Sequence, residues 1–422
     1  MAARFLRRMC AVGAALTAVC ASVLAVPQPA FADSVRAKQW YLDAWKIDEV
    51  WKISRGDGIT VAVVDTGVDA THPDLVGQIA GAPLGDGDDN GHGTGITSMI
   101  VGSGVNGGGQ GVWGVAPEAK VLAFRVPDTP KSGIFDPDKL ADTIRAAADS
   151  QARIINISSG GAVNEPEKAE AVQYALSRGK LVVASAGNGT DNGRAPIYPA
   201  GDPGVLGVGA VDQNGGTWSN SNQGFWVSIA APGTQIPAAC TGPTRYCMTD
   251  GTSGSAALTS GVAALVWSAH PDWTANQVIN RLITSAHKGK GEVVPNDEIG
   301  FGIVNPRNAL QSTDPPGPAD VNPLINVRGL KPTPPPPSTP PPSTQPAPAA
   351  GDSASTPPLS PAPAVDSAGD KGGSDSNLLP LAAIGGGVVV LIAVAALYFR
   401  SRRGRGAPPP PPMPPAPPQA SW

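Results

Sequence analysis

Asp65, His92 and Ser253 each stand where a side chain can be presented for chemistry. Asp65 ends the apolar run Val61-Ala62-Val63-Val64 and is followed by Thr66-Gly67. A carboxylate at the carboxyl end of a parallel strand lies where open α/β sheets place their active sites, and an ordinary Asp capping a turn is an equal reading. His92 has glycine on both sides in Asn90-Gly91-His92-Gly93-Thr94, so the backbone can turn sharply and expose the imidazole at a helix start. A plain surface histidine is the alternative. His72, His270 and His287 lie in turn-like stretches before Pro or Lys and compete poorly. Ser253, in Asp250-Gly251-Thr252-Ser253-Gly254, precedes the apolar, helix-compatible run 256–268. It would stand at a helix N-terminus, where free N–H groups and the dipole favour a developing negative charge, although an isolated Ser there is commonly only an N-cap.

Acyl hydrolysis by serine needs this set: a nucleophile, a base, a group that orients the base, and donors for the tetrahedral oxyanion. Asn188, in Ala186-Gly187-Asn188-Gly189, follows another apolar run and carries an amide that could donate to the oxyanion. Asn-Gly is also a common turn signal. Around Ser253 the G-x-S-x-G elbow of lipases and esterases is missing. Two other patterns fail on context. Asp86, Asp88, Asn90 and Gly91 imitate the start of a calcium loop, but its twelfth position is Thr97 rather than Glu. Gly102, Gly104 and Gly107 match G-x-G-x-x-G, yet follow a helical pattern instead of a strand. The chemistry calls for no cofactor and no metal, and the carboxylates of 86–89 read as a solvated loop.

The elements that must position these groups are short. Residues 59–64, 121–126, 154–157 and 181–186 are apolar, β-rich runs with little polar alternation, as expected of strands buried on both faces of a parallel sheet. Helical patterns at 139–148 and 165–177 alternate with them, which predicts βαβ units and a doubly wound α/β domain, mostly parallel and flanked by helices. The predicted domain spans 58–312, preceded by an N-terminal extension at 33–57; about 280 residues can bury a sizeable core.

Outside it the composition changes. Arg4, Arg7 and Arg8, an apolar stretch, and Ala30-Phe31-Ala32 predict a secretory signal over 1–32, with an uncleaved anchor as the alternative. Of four cysteines, Cys10 and Cys20 would leave with it. Cys240 and Cys247 then remain as the one pair in an exported chain, so a disulfide is expected, with two free thiols as the alternative. The stretch 313–376 is rich in Pro, Ser, Ala and Asp and reads as a disordered linker, semi-rigid in its Pro runs. Residues 378–399 carry no charge and are long enough to span a bilayer of about 30 Å. Arg400, Arg402, Arg403 and Arg405 follow, a flank retained inside, which places the domain outside the cell membrane and the basic, Pro-rich tail 400–422 in the cytoplasm. A net charge of -4 and the lack of a basic stripe give no case for nucleic-acid binding.

Val63-Val64-Asp65-Thr66-Gly67-Val68-Asp69, Asn90-Gly91-His92-Gly93-Thr94 and Gly251-Thr252-Ser253 resemble the three signature blocks of the subtilisin-like serine proteases, in that family's order. The resemblance extends over roughly 40–312, with Gly114-Val115-Ala116-Pro117, Ala230-Ala231-Pro232-Gly233 and Gly300-Phe301-Gly302-Ile303-Val304-Asn305. It implies Asp65, His92 and Ser253 as catalytic triad, Asn188 with the Ser253 N–H as oxyanion hole, and Ser158-Ser159-Gly160 as the edge that pairs with an extended protein or peptide substrate. The layout of signal, protease, Pro-rich linker, single span and basic flank, with Gln39-Trp40-Tyr41-Leu42-Asp43-Ala44-Trp45 at the start, resembles the mycosins. These accompany type VII secretion systems, which implies such a membrane complex, and the lipid around the span, as partners. Only about 25 residues lie between Asp33, after the predicted signal, and the first strand, too few for a folded inhibitory prodomain, so little or no autoinhibition by a propeptide is expected. Gly254 stands where the family usually has a larger residue, Ala257 where it has Pro, and Gly95 where secreted members often have His. A further cysteine pair usual in mycosins is absent. The resulting expectation is a working endopeptidase; a stabiliser of a secretion complex and a broad degradative surface protease are the alternatives.

Overall fold

The computed structural model describes residues 35–88, 90–126, 137–189, 195–289 and 293–325. The predicted signal, the span at 378–399, the tail, and the linker beyond 325 lie outside the described residues. No helix among the described residues is long and apolar enough to cross a membrane.

In chain order the strands are β1 (Thr60–Asp65), β2 (Gly67–Val68), β3 (Ile79–Gly81), β4 (Gly87–Asp88), β5 (Lys120–Arg125), β6 (Ile154–Ile157), β7 (Leu181–Ser185), β8 (Leu206–Val211), β9 (Ile229–Pro232), β10 (Ile236–Ala239) and β11 (Tyr246–Thr249). Seven form one sheet in the order β3-β5-β1-β6-β7-β8-β9, every neighbouring pair parallel. The four strands predicted from apolar runs are β1, β5, β6 and β7. The strand β8 does not read as such a run, because its Leu206-Gly207-Val208-Gly209 alternation interrupts the apolar pattern. The helices are α1 (Trp40–Ala44), α2 (Ile47–Val50), α3 (His92–Val101), α4 (Pro137–Asp149), α5 (Pro166–Ser177), α6 (Thr252–Ala269), α7 (Ala275–Thr284) and α8 (Pro306–Gln311).

Successive side chains of a strand point to opposite faces, and β1 shows what that achieves. Val61 and Val63 pack with α3, α6 and α7, whereas Ala62 and Val64 pack with α4 and α5. The sheet is therefore covered on both sides, which is why its strands read as unbroken apolar runs. Central among the helices is α6, buried over almost its whole length from Thr252 to Trp267.

The first described residues are part of this core. Tyr41, Leu42, Trp45, Ile47 and Val50 are buried in it, and the Trp51 indole donates to Val115 O at 2.9 Å. At the other end, residues 313–325, which composition assigns to the linker, lie against α7. The Arg281 guanidinium donates to Ala309 O, Ser312 O and Asp314 O, Asn280 to Pro316 O, and Gln277 to Gly317 O. Leu324 is buried. Backbone carbonyls make these contacts, so a Pro-rich composition conceals them.

Candidate active site

In the sheet order, β1 lies between β5 and β6, where chain progression reverses direction. Open parallel sheets form their crevice at such a point, outside the carboxyl ends of the strands. Asp65 is the last residue of β1, Ser158-Ser159-Gly160 follow β6 directly, and Asn188 comes three residues after β7. The amino ends of α3 and α6 bring His92 and Ser253. Sequence-predicted residues from five separate segments thus share one end of the sheet.

Asp65 is fully buried. Its Oδ1 accepts from Thr66 N at 2.8 Å and faces His92 Nδ1 at 2.6 Å. Its Oδ2 is buried without a hydrogen-bond partner among the described residues. A desolvated carboxylate of this kind gains most when the facing imidazole becomes a cation. His92 itself is about two-fifths exposed, so one face of the pair is sealed and the other open. The close approach of α3 to β2 depends on Gly93: a Cβ there would come 2.1 Å from Gly67 O.

Ser253 is half-buried in the first turn of α6, and its Oγ donates to Ser158 O at 2.8 Å; the Ser158 hydroxyl returns a bond to Ser253 O at 3.1 Å. Beside it, Asn188 is exposed. Its Oδ1 accepts from both Thr252 N and Thr252 Oγ1 at 2.9 Å, and the Thr252 hydroxyl in turn accepts from Gly187 N at 3.1 Å. With Oδ1 anchored on Thr252, Nδ2 of the same planar amide remains a donor near Gly251, at the helix start that also presents the Ser253 N–H. Two donors at a helix N-terminus suit an oxyanion.

The position after Ser253 also has an account. A Cβ on Gly254 would lie 3.3 Å from the Met99 sulfur, so the space beside Gly254 is filled from α3 instead. Ser159 Oγ is buried without a partner among the described residues, and Gly160, just past the end of β6, is exposed. Cys240, directly after β10, is disulfide-bonded to Cys247 on β11.

Sequence reasoning missed the residues that hold these groups. Thr66, Thr252 and Asp88 lie inside or beside the signature blocks, and only their position there could have singled them out. Asp88, in the stretch 86–89 whose composition reads as a solvated loop, is instead half-buried and accepts from Thr66 Oγ1 (2.8 Å), Gly91 N (3.0 Å), Thr94 N (2.8 Å) and Thr94 Oγ1 (2.6 Å). Burial alone would raise its pKa, but the donors from Thr94, Thr66 and Gly91 outweigh it and hold the carboxyl below its ordinary range. The other histidines have structural partners: His72 is buried against Arg245 O and Asp74 N, and His270 stacks on Trp273. Among the described residues no cluster of three or more His, Cys, Asp or Glu could hold a metal ion.

Residues 56–302 match the model of the subtilase family, peptidase S8. Thermitase from Thermoactinomyces vulgaris is 39% identical over 223 residues, covering 52% of this chain and 78% of that protein. Mycosin-1 from Mycolicibacterium smegmatis is 32% identical over 357 residues, covering 71% of this chain and 78% of that one. Among solved structures, MycP1 with its N-terminal propeptide removed aligns with a TM-score of 0.57 at 32% identity, over 66% of this chain and 99% of that one. The MycP3 protease from the type VII (ESX-3) secretion system aligns at 0.54 and 33%, over 65% and 88%. The chain belongs to the subtilase family and is a subtilisin-like serine endopeptidase of the mycosin type.

Proposed function

We propose that the chain is a membrane-anchored endopeptidase that works beside a type VII secretion system and cleaves through Asp65, His92 and Ser253. The observation that carries the site assignment is the 2.6 Å contact between His92 Nδ1 and the buried Asp65 Oδ1, on the sheet end that also holds Ser253. Ser253 Oγ attacks the scissile carbonyl carbon while its proton passes to His92 Nε2. The resulting oxyanion accepts hydrogen bonds from Ser253 N–H and Asn188 Nδ2. Collapse releases the amine with the proton that His92 carries, and water, activated by the same imidazole, hydrolyses the acyl-enzyme. Asp65 holds the tautomer and balances the imidazolium. Ser158-Ser159-Gly160 pairs with the extended substrate as an added strand. The association with type VII secretion draws support from the mycosin relatives, and the anchor from the uncharged stretch 378–399 with its arginine flank.

The test is fluorophosphonate labelling of the full chain beside Ser253→Ala. Labelling that disappears in the variant is the expected result. A folded wild-type chain that takes no label would sink the triad and leave a scaffold role in the secretion complex. A chain truncated before 378 should leave the membrane fraction for the soluble one. Ready cleavage of casein would point to broad degradation rather than a few secreted substrates.

A further inference from the structure

Asp88 lies on β4, which pairs antiparallel with β2 in the register Gly67↔Asp88. Through that pairing it sits between the turn that follows Asp65 and the first turn of α3. One oxygen accepts from the hydroxyl of Thr66, the residue next to Asp65, and from Gly91 N, the residue before His92. The other accepts twice from Thr94, two residues after His92. The Thr66 hydroxyl continues the bridge, because it also accepts from Gly93 N at 2.9 Å. All four donors to one carboxylate therefore come from residues that flank Asp65 or His92.

We infer that Asp88 is a positioning residue for the hydrolysis, its carboxylate tying the Asp65 turn to the start of α3 and so fixing His92 against Asp65. The inference rests on the triad proposed above. Without Asp88, the backbone N–H groups of Gly91 and Thr94 lose this acceptor, and the Thr66 hydroxyl keeps only its longer bond to Asp65 Oδ1 (3.4 Å) and its bond from Gly93 N. A displacement of the base by about 1 Å is enough to cost roughly a hundredfold in rate.

The charge matters as well as the geometry. His92 faces Asp65 on β1. Arg125 lies across from Asp65 in the β1–β5 register, and Asp69, at the end of the Asp65 block, is paired with Arg245 at 3.1 Å. Asp88 adds a carboxylate on the β4 side. A nearby negative charge favours the imidazolium and raises its pKa, so its removal should lower the pH at which the base becomes active.

The experiment compares full-chain wild type, Asp88→Asn, Thr66→Val and Ser253→Ala by fluorophosphonate labelling across pH. Asp88→Asn keeps the shape but cannot accept from Thr94 with its amide nitrogen. Its saturating rate should fall about tenfold to a hundredfold, with half-saturation changed less than about threefold, and the acid limb should move to lower pH. Thr66→Val removes the bridging hydroxyl and keeps the charge, so its rate should fall while the acid limb stays put. A folded Asp88→Asn with wild-type rate and limb would overturn the inference. If that variant does not fold, a wild-type rate in Thr66→Val overturns it. Failure of the triad itself is separate: wild type would then label no better than Ser253→Ala.

Discussion

At the scale of single residues, burial decides what each carboxylate does. Asp65 is sealed with one oxygen on His92, so exchanging it for Asn keeps the volume and changes the imidazole's preferred tautomer. Asp65→Asn should lower kcat by about 10³–10⁴ with little change in KM, read from steady-state hydrolysis. Asp202 makes a contrasting case. It is buried, its Oδ2 has no partner among the described residues, and burial, only partly offset by Lys168, pushes its pKa up to about 7. Unfolded, the same carboxyl ionises near about 3.9. Its stabilising contribution is therefore fully present below about pH 4 and is lost as pH rises through about 7. Asp202→Asn should flatten that decline and leave the protein more stable than wild type at pH 8, by roughly 1–4 kcal/mol, in thermal melts taken from pH 4 to 8. An unchanged slope would mean that the carboxyl finds a partner when ionised. The residues proposed as the catalytic set stand out in the sequence because each sits in a glycine-containing block of its own. Asp202 does not, since burial is a property of the fold and Asp202-Pro203-Gly204 reads as a turn.

At the scale of elements, the site depends on two helix starts held in register. Gly91 adopts φ +85°, and a Cβ there would come 2.9 Å from Thr241 Oγ1, in the loop closed by the Cys240–Cys247 disulfide. Gly91→Ala should therefore destabilise by about 1–3 kcal/mol and lower kcat more than it raises KM, because it moves the residue directly before His92. The contact between Gly254 and Met99 gives a sharper test. Gly254→Met alone overfills the space between α6 and α3 and should lose about 1–3 kcal/mol, whereas Gly254→Met with Met99→Ala should recover part of it. Additive losses in that double-mutant cycle would show that the two sites do not share volume. Strand and helix positions were readable here because buried parallel strands leave an apolar signature. The short β2–β4 pair was not. Two residues per strand carry no periodicity, and the pair is held by its glycines and by hydrogen bonds around Asp88.

At the scale of the whole molecule, the sequence divides the chain by composition, and the folded domain ends later than that division. Past Ser312 the backbone supplies acceptors that α7 needs. Arg281 is buried, its guanidinium lies over the Trp273 ring, and Asp314 O accepts from it beyond Ser312. Farther along, Thr274 and Asn276 donate to Ala319 O, Asn322 donates to Gly204 O at 3.0 Å, and Leu324 closes the contact as a buried side chain. A proline-rich segment suits this strap, because its restricted unfolded state has less entropy to lose on docking. Truncation after Ser312 strips Arg281 of an acceptor and uncovers the surface that Leu324 fills. Exposing a buried leucine costs about 1.5–3 kcal/mol, and an unpaired buried donor about 1–3 kcal/mol. A chain ending at Ser312 should therefore melt roughly 5–10 °C below one ending at Ile325. The proposed triad residues make none of these contacts, so the shorter chain should keep its fluorophosphonate labelling rate at temperatures where it is folded. Equal melting temperatures would mean that the strap contributes no net stability and that the linker functionally begins at Thr313. A lower melting temperature would fix the start of the linker beyond Ile325 and shorten the tether available to the proposed anchor at 378–399.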